Sequence, residues 1–96
     1  MKLLLVIYSG RDRRLVPELL DHHRAGGYTE LGPVHGAGQT GKREGSRAWP
    51  GDASVYFSIV PQEQVESLRE ALAERAQHLD AGERLHAAVM PTDSFF

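Results

Sequence analysis

VHGAGQTGKREGSRAWPGD, residues 34–52, is the stretch whose reading decides the fold. It holds five of the ten glycines, the single tryptophan (Trp49) and three basic side chains, Lys42, Arg43 and Arg47. If it opens a helix on a phosphate, the chain is a nucleotide-binding α/β unit. If it is a loop, the segments on either side must fold together around it. Gly36, Gly38 and Gly41 satisfy GxGxxG, and Gly36 with Gly41-Lys42 satisfies most of GxxxxGK[ST]. The second pattern breaks at position 43, where Arg stands in place of the Ser or Thr that would hold magnesium. Both patterns also need the glycines to start a helix whose N-terminus takes the phosphate. The residues that follow, REGSRAWPG, contain Gly45, Pro50 and Gly51 and have no apolar period. At 96 residues the chain is also short for a P-loop enzyme. The stretch therefore reads as a loop, and a loop this long in a small domain is uncommon unless it is functional or disordered.

The sequence on either side is strongly patterned. Upstream, KLLLVIY (residues 2–8) is a short apolar run closed by Ser9-Gly10, which predicts a strand buried on both faces. Asp12 offers a helix cap, and Leu15, Val16, Leu19, Leu20 and His23 fall at helical spacing. Pro17 is tolerable only in a first turn, which moves the expected helix start towards Arg13 or Arg14. Gly26-Gly27 is the expected end of that helix. YTELGPVH (28–35) is a weaker strand, and Gly32-Pro33 points to an edge position or a bulge. Downstream of the loop, ASVYFSIV (53–60) alternates as a strand, with Val55, Phe57 and Ile59 on one face and Tyr56, Ser58 and Val60 on the other. Pro61 starts a second helix with the stripe Val65, Leu68, Leu72, Ala76 and Leu79, ended by Gly82. RLHAAVM (84–90) reads as the last strand.

The order βαββαβ is the ferredoxin-like arrangement, an α+β fold with a four-stranded antiparallel sheet. Right-handed crossovers place both helices on one face of the sheet. The other face is then bare, yet Leu3, Leu5 and Ile7 alternate with Leu4, Val6 and Tyr8, so either side of the first strand is apolar. An apolar face of that size is expected to be covered by self-association.

Composition narrows the function classes. One domain spanning residues 1–96 is expected from the length. A net charge of −2 argues against a nucleic-acid partner. The absence of cysteine removes disulfides, thiolate metal sites and cysteine nucleophiles. The apolar run at residues 3–8 is too short for membrane insertion or a signal-peptide core, so a cytoplasmic location is expected. Neither Ser9 nor Ser46 has spaced His and Asp partners, and no enzymatic activity is expected.

The step Val34-His35-Gly36-Ala37-Gly38 into a basic, glycine-rich loop, followed by SVYFSIVP and QEQVESLREAL, resembles the PII-like signalling proteins of the nitrogen-regulatory superfamily. The likeness spans about residues 2–90. It implies a homotrimer formed through the sheet, with a small anionic ligand, such as an adenine nucleotide, in clefts between subunits. It also implies signalling through the loop at 37–52 to a protein or transporter target. The loop has no tyrosine, Gln39 directly follows Gly38, and the family's phosphate loop before the last strand is reduced to Asp80-Ala81-Gly82-Glu83-Arg84. On this reading Gly36 and Gly38 allow close backbone approach, Gln39 and Thr40 hydrogen-bond the ligand, and Lys42, Arg43 and Arg47 neutralise it.

Other readings stand beside this one. The basic residues also suit a solvated loop, and Trp49-Pro50 suits a hydrophobic anchor better than a base-stacking platform. Among the five histidines, His22 and His23 are adjacent on a helix and point about 100° apart, so they do not form a metal pair. His35 and His86 could meet across a subunit boundary, which gives the alternative of a metal-binding trimer of the divalent-cation tolerance type. An amino-acid-binding module of ACT type shares the element order and would place its ligand at Ser9-Gly10.

Overall fold

A computed structural model describes residues 1–38, 41–43 and 53–96. The elements run β1 (Lys2–Ser9), α1 (Leu15–His22), β2 (Thr29–Val34), β3 (Gly36–Gly38), β4 (Gly41–Arg43), β5 (Ala53–Val60), α2 (Gln62–Ala76) and β6 (Arg84–Pro91). The main sheet has the order β2-β5-β1-β6 with every pairing antiparallel, which is the ferredoxin-like arrangement.

β1 lies at the centre, paired with β5 from Lys2↔Val60 to Tyr8↔Ser54 and with β6 from Lys2↔Pro91 to Ser9↔Arg84. A central strand has both neighbours, so its backbone groups are satisfied in the ladder and its side chains can be apolar on both faces. Leu4, Val6 and Tyr8 point to the helices and are buried. They join Leu15, Val16 and Leu20 of α1, Leu68 and Leu72 of α2, Tyr56 and Val60 of β5 and Leu85 of β6 in one core. Ser58 is the polar member of this face of β5. Its hydroxyl donates to the Gly27 carbonyl at 2.6 Å, which meets the cost of burying it.

The opposite face carries Leu3, Leu5 and Ile7, with Val55, Phe57 and Ile59 of β5 beside them. Met90 and Ala88 pair with Leu3 and Leu5, and Leu31 pairs with Val55. These side chains are half-buried or exposed, up to 49% for Leu31. The open apolar face expected from the alternation of β1 is present.

The element ends differ in part from the sequence reading. α1 begins at Leu15, with Pro17 in its first turn. The Asp12 carboxylate accepts from the Arg14 N–H (3.0 Å), so it closes the turn before the helix. The helix stops before Gly26-Gly27, because Arg24 takes the left-handed conformation (φ 57°) and the Ala25 N–H bonds back to the Leu20 carbonyl. α2 likewise ends at Ala76, and Gly82 (φ +87°) shapes the turn into β6. Gly32-Pro33 lies at the register shift of β2, an edge strand, as its composition suggests.

The stretch at 34–52, expected as a loop, contains a short hairpin. Gly36 pairs with Arg43, Ala37 with Lys42 and Gly38 with Gly41. Among the described residues no helix is long and apolar enough to cross a membrane.

Candidate functional site

Because neighbouring strands are antiparallel, β1 and β2 finish at the same end of the sheet at which β5 and β6 begin. Three connections meet there: the turn from β1 to α1, the β3–β4 hairpin segment between β2 and β5, and the turn from α2 into β6. Gly36 and Gly38 lie in β3, and the backbones of Lys42 and Arg43 in β4, so these four predicted ligand residues are brought to one hairpin at this end. Gln39, Thr40, Arg47, Trp49 and Pro50 lie outside the described residues.

The two turns beside the hairpin are tied together by Glu83. Its Oε2 accepts from the Arg11 N–H (3.0 Å) and the Tyr8 hydroxyl (3.3 Å), and its Oε1 accepts from the Asp80 N–H (3.0 Å). The Tyr8 oxygen in turn accepts from the Asp12 N–H (3.1 Å). Gly10 sits against this group so closely that a Cβ would run into the Tyr8 hydroxyl and Glu83 Oε2. Only glycine fits. The space beside Ser9-Gly10, where the ACT-type alternative would put a ligand, is thus filled by the chain's own side chains.

The electrostatics follow from this wiring. Burial pushes the Glu83 carboxyl up. The N–H groups of Arg11 and Asp80, the Tyr8 hydroxyl and the Arg11 charge outweigh burial and hold it below the ordinary carboxylate range. Burial pushes the Tyr8 phenol up, and the carboxylates of Glu83 and Asp12 add to the shift against the Asp12 N–H, so Tyr8 is a neutral donor. Around the group stand the exposed Arg11, Arg13, Arg14 and Arg84. Asp12, Glu18 and Asp80 stand among them, and Arg14 pairs with Glu18 at 3.8 Å, so positive and negative side chains are interspersed around the Glu83 carboxylate.

The other end of the sheet is different in kind. Leu3, Gly27, Tyr28, Phe57, Ile59 and Phe95 line a cavity of about 540 Å³, with Thr29 and Ser58 also at its wall. That is the size and lining of a small-molecule site. Tyr28 is held edge-on to Tyr56, with ring centroids 5.8 Å apart. The sequence reading misses this cavity and the Glu83 group. The signals for them, Tyr28 after a glycine pair and Gly10 after a strand, become specific only when the register brings their partners alongside.

His35 follows β2 and His86 lies on β6, at opposite edges of the sheet. Three strand spacings separate those edges, about 14 Å, so within one chain the two do not meet. Among the described residues no three His, Cys, Asp or Glu side chains gather as metal ligands.

No protein-family model matches this sequence, and neither does any curated protein. Solved structures do. CPII, a nitrogen regulatory PII-like protein from Thiomonas intermedia K12 solved with ADP, AMP and bicarbonate, is 29% identical to this chain. The match covers 93% of this chain and 86% of that one, with a TM-score of 0.65. The chain is similar to PII-like proteins. CPII bound to ADP and bicarbonate matches this chain at 28% identity over the same shares, with a TM-score of 0.64. A Thermus thermophilus protein described as PII-like and signalling is 22% identical, with a TM-score of 0.62 over 92% of this chain and 82% of its own, a likeness of fold alone.

Proposed function

We propose that this PII-like chain is a non-enzymatic, cytoplasmic sensor of a small anionic ligand, an adenine nucleotide or a similar molecule. It works as a homotrimer of single domains covering residues 1–96, with the ligand in clefts between subunits. The observation that carries the reading is the 29% identity, over 93% of the chain, to a PII-like protein solved with ADP, AMP and bicarbonate.

The geometry supports the inter-subunit position independently. A nucleotide needs a cationic surface for its phosphates and an apolar slot for its base. Here the hairpin and the apolar cavity lie towards opposite ends of the sheet, the nearest cavity residue of β5, Phe57, standing about 13 Å along the strand from its hairpin end. A second copy, placed with its cavity end against the first copy's hairpin end, would bring the two surfaces to one ligand. Such a head-to-tail contact between unlike surfaces repeats until it closes as a ring, and the open apolar sheet face supplies the common interface.

In this ring Gly36 and Gly38 let the backbone approach the ligand, and Gln39 and Thr40 hydrogen-bond it. Lys42, Arg43 and Arg47 neutralise its charge. Ligand bound at this hairpin is signalled through the stretch at 37–52 to a protein or transporter target.

Calorimetric titration with ADP, AMP, ATP and bicarbonate tests the reading. Saturable binding that weakens about tenfold or more in Arg43→Ala/Arg47→Ala is the expected result. Binding of zinc or copper alone, abolished by His35→Ala/His86→Ala, would replace it with the metal-binding trimer.

A further inference from the structure

The side chain that ties the two turns at the hairpin end is a carboxylate, and everything it touches is a donor. Two backbone N–H groups from different segments and one hydroxyl converge on its two oxygens. Backbone N–H groups that converge on one carboxylate form an anion cradle, and the arginines at 11, 13 and 84 stand beside it, while Arg14 is paired with Glu18. Asp12 and Asp80 are the nearby acids. The Asp12 carboxylate is engaged by the Arg14 N–H, and Asp80 contributes its N–H to the cradle.

We propose that Glu83 is an internal anion that occupies this cradle and thereby limits which anionic ligands the hairpin end accepts. An isolated glutamate needed only for the fold could rest on solvent. This one is drawn into space kept clear by Gly10, and the cradle holds it ionised. The N–H groups of Arg11 and Asp80 are spent on it, so they are not offered to a ligand. The cradle stands over β1 and β6, and Tyr8 pairs with Ser54 of β5 one residue after that strand begins, so it is one strand spacing from the point where the hairpin segment returns. A ligand held at the hairpin and extended towards β1 therefore meets a negative charge. On the nucleotide reading, on which this second step rests, the chain favours short phosphate chains over longer ones. Glu83 is the residue that sets that preference.

Inorganic pyrophosphate is the direct probe, because it needs the cradle but no nucleoside site. Glu83→Ala is expected to bind it about tenfold more tightly than the wild type, with the largest amide shifts at Arg11 and Asp80. Adding Tyr8→Phe, which removes one donor, is expected to reduce that gain severalfold. A folded Glu83→Ala that gains no pyrophosphate binding overturns the proposal, as does a gain whose shifts fall away from those two amides. Should the alanine variant not fold, Glu83→Ser, which retains a short acceptor, is judged by the same two outcomes. Pyrophosphate gain without nucleotide binding in either protein would sustain the cradle and sink the nucleotide reading. If nucleotides bind, the affinity for ATP relative to ADP is expected to rise about tenfold in Glu83→Ala, and an unchanged ratio overturns the selectivity.

Discussion

At the residue scale, Glu83 and Gly10 show how one turn fixes another. The Glu83 carboxyl titrates below its ordinary 4.5 in the folded protein. Between the folded and unfolded values the unfolded chain binds more protons, so stability rises with pH there. The contribution is complete above the unfolded value and is lost as pH falls through the folded one. Glu83→Gln is therefore expected to destabilise the protein by about 1–2 kcal/mol near neutrality. That difference should shrink as the pH falls below 4.5 and the wild-type carboxyl becomes protonated. Urea denaturation at a series of pH values measures this directly, and a difference independent of pH would mean that the charge is not what the cradle holds. Gly10→Ala tests the same packing from the other side. Its Cβ must displace the Tyr8 hydroxyl or the Glu83 carboxylate, at an expected cost of about 1–3 kcal/mol. Tyr8→Phe should relieve part of it in the double variant, since the displaced atom is then absent.

At the element scale, what is legible in the sequence follows periodicity, and what is not depends on contacts far apart in the chain. β5 reads with its observed bounds because its alternation is uninterrupted and it is flanked by a loop and a proline. The α2 stripe reads from spacing alone, and Leu68 and Leu72 are indeed its buried centre, while Ala76 at the end of the stripe is exposed. Leu68→Ala is expected to cost about 2–4 kcal/mol in thermal or denaturant unfolding, and Ala76→Ser well under about 1 kcal/mol. Equal losses would mean that the helix is seated one turn away from the position described. The helix ends are harder to read because glycine marks only where a left-handed residue is cheap. In α1 the chain turns earlier, at Arg24, where the bond from the Ala25 N–H to the Leu20 carbonyl can already close the helix. The hairpin within the glycine-rich stretch has no apolar alternation to announce it. The aromatic cavity is assembled from separate segments, and in the sequence Glu83 is only an acid near a ligand. Its partners lie 72 and 75 residues away in the chain, and only the β1–β6 register brings them near.

At the scale of the whole molecule, the open sheet face and the two unlike ends make one argument. Leu5 is its best probe. It lies at the middle of the bare face, between Phe57 of the cavity wall on one side and Ala88 on the other, does not itself line the cavity, and is away from the Glu83 cradle. It is half-buried in a single chain, so an aspartate there can still reach water in the monomer but would be desolvated in an assembly that covers this face. Sedimentation is expected to find wild-type protein at three times the 10.6 kDa of one chain, and Leu5→Asp folded but monomeric. The functional consequence separates this from a generic dimer. If the ligand bridges the hairpin end of one copy and the cavity end of the next, a monomeric variant keeps every ligand residue and still loses binding. Nucleotide affinity of the wild type should then fall on dilution through the dissociation range, and nucleotide should slow that dissociation by the same coupling. Undiminished nucleotide binding by monomeric Leu5→Asp would place the whole site within one chain, against the distance between its two ends.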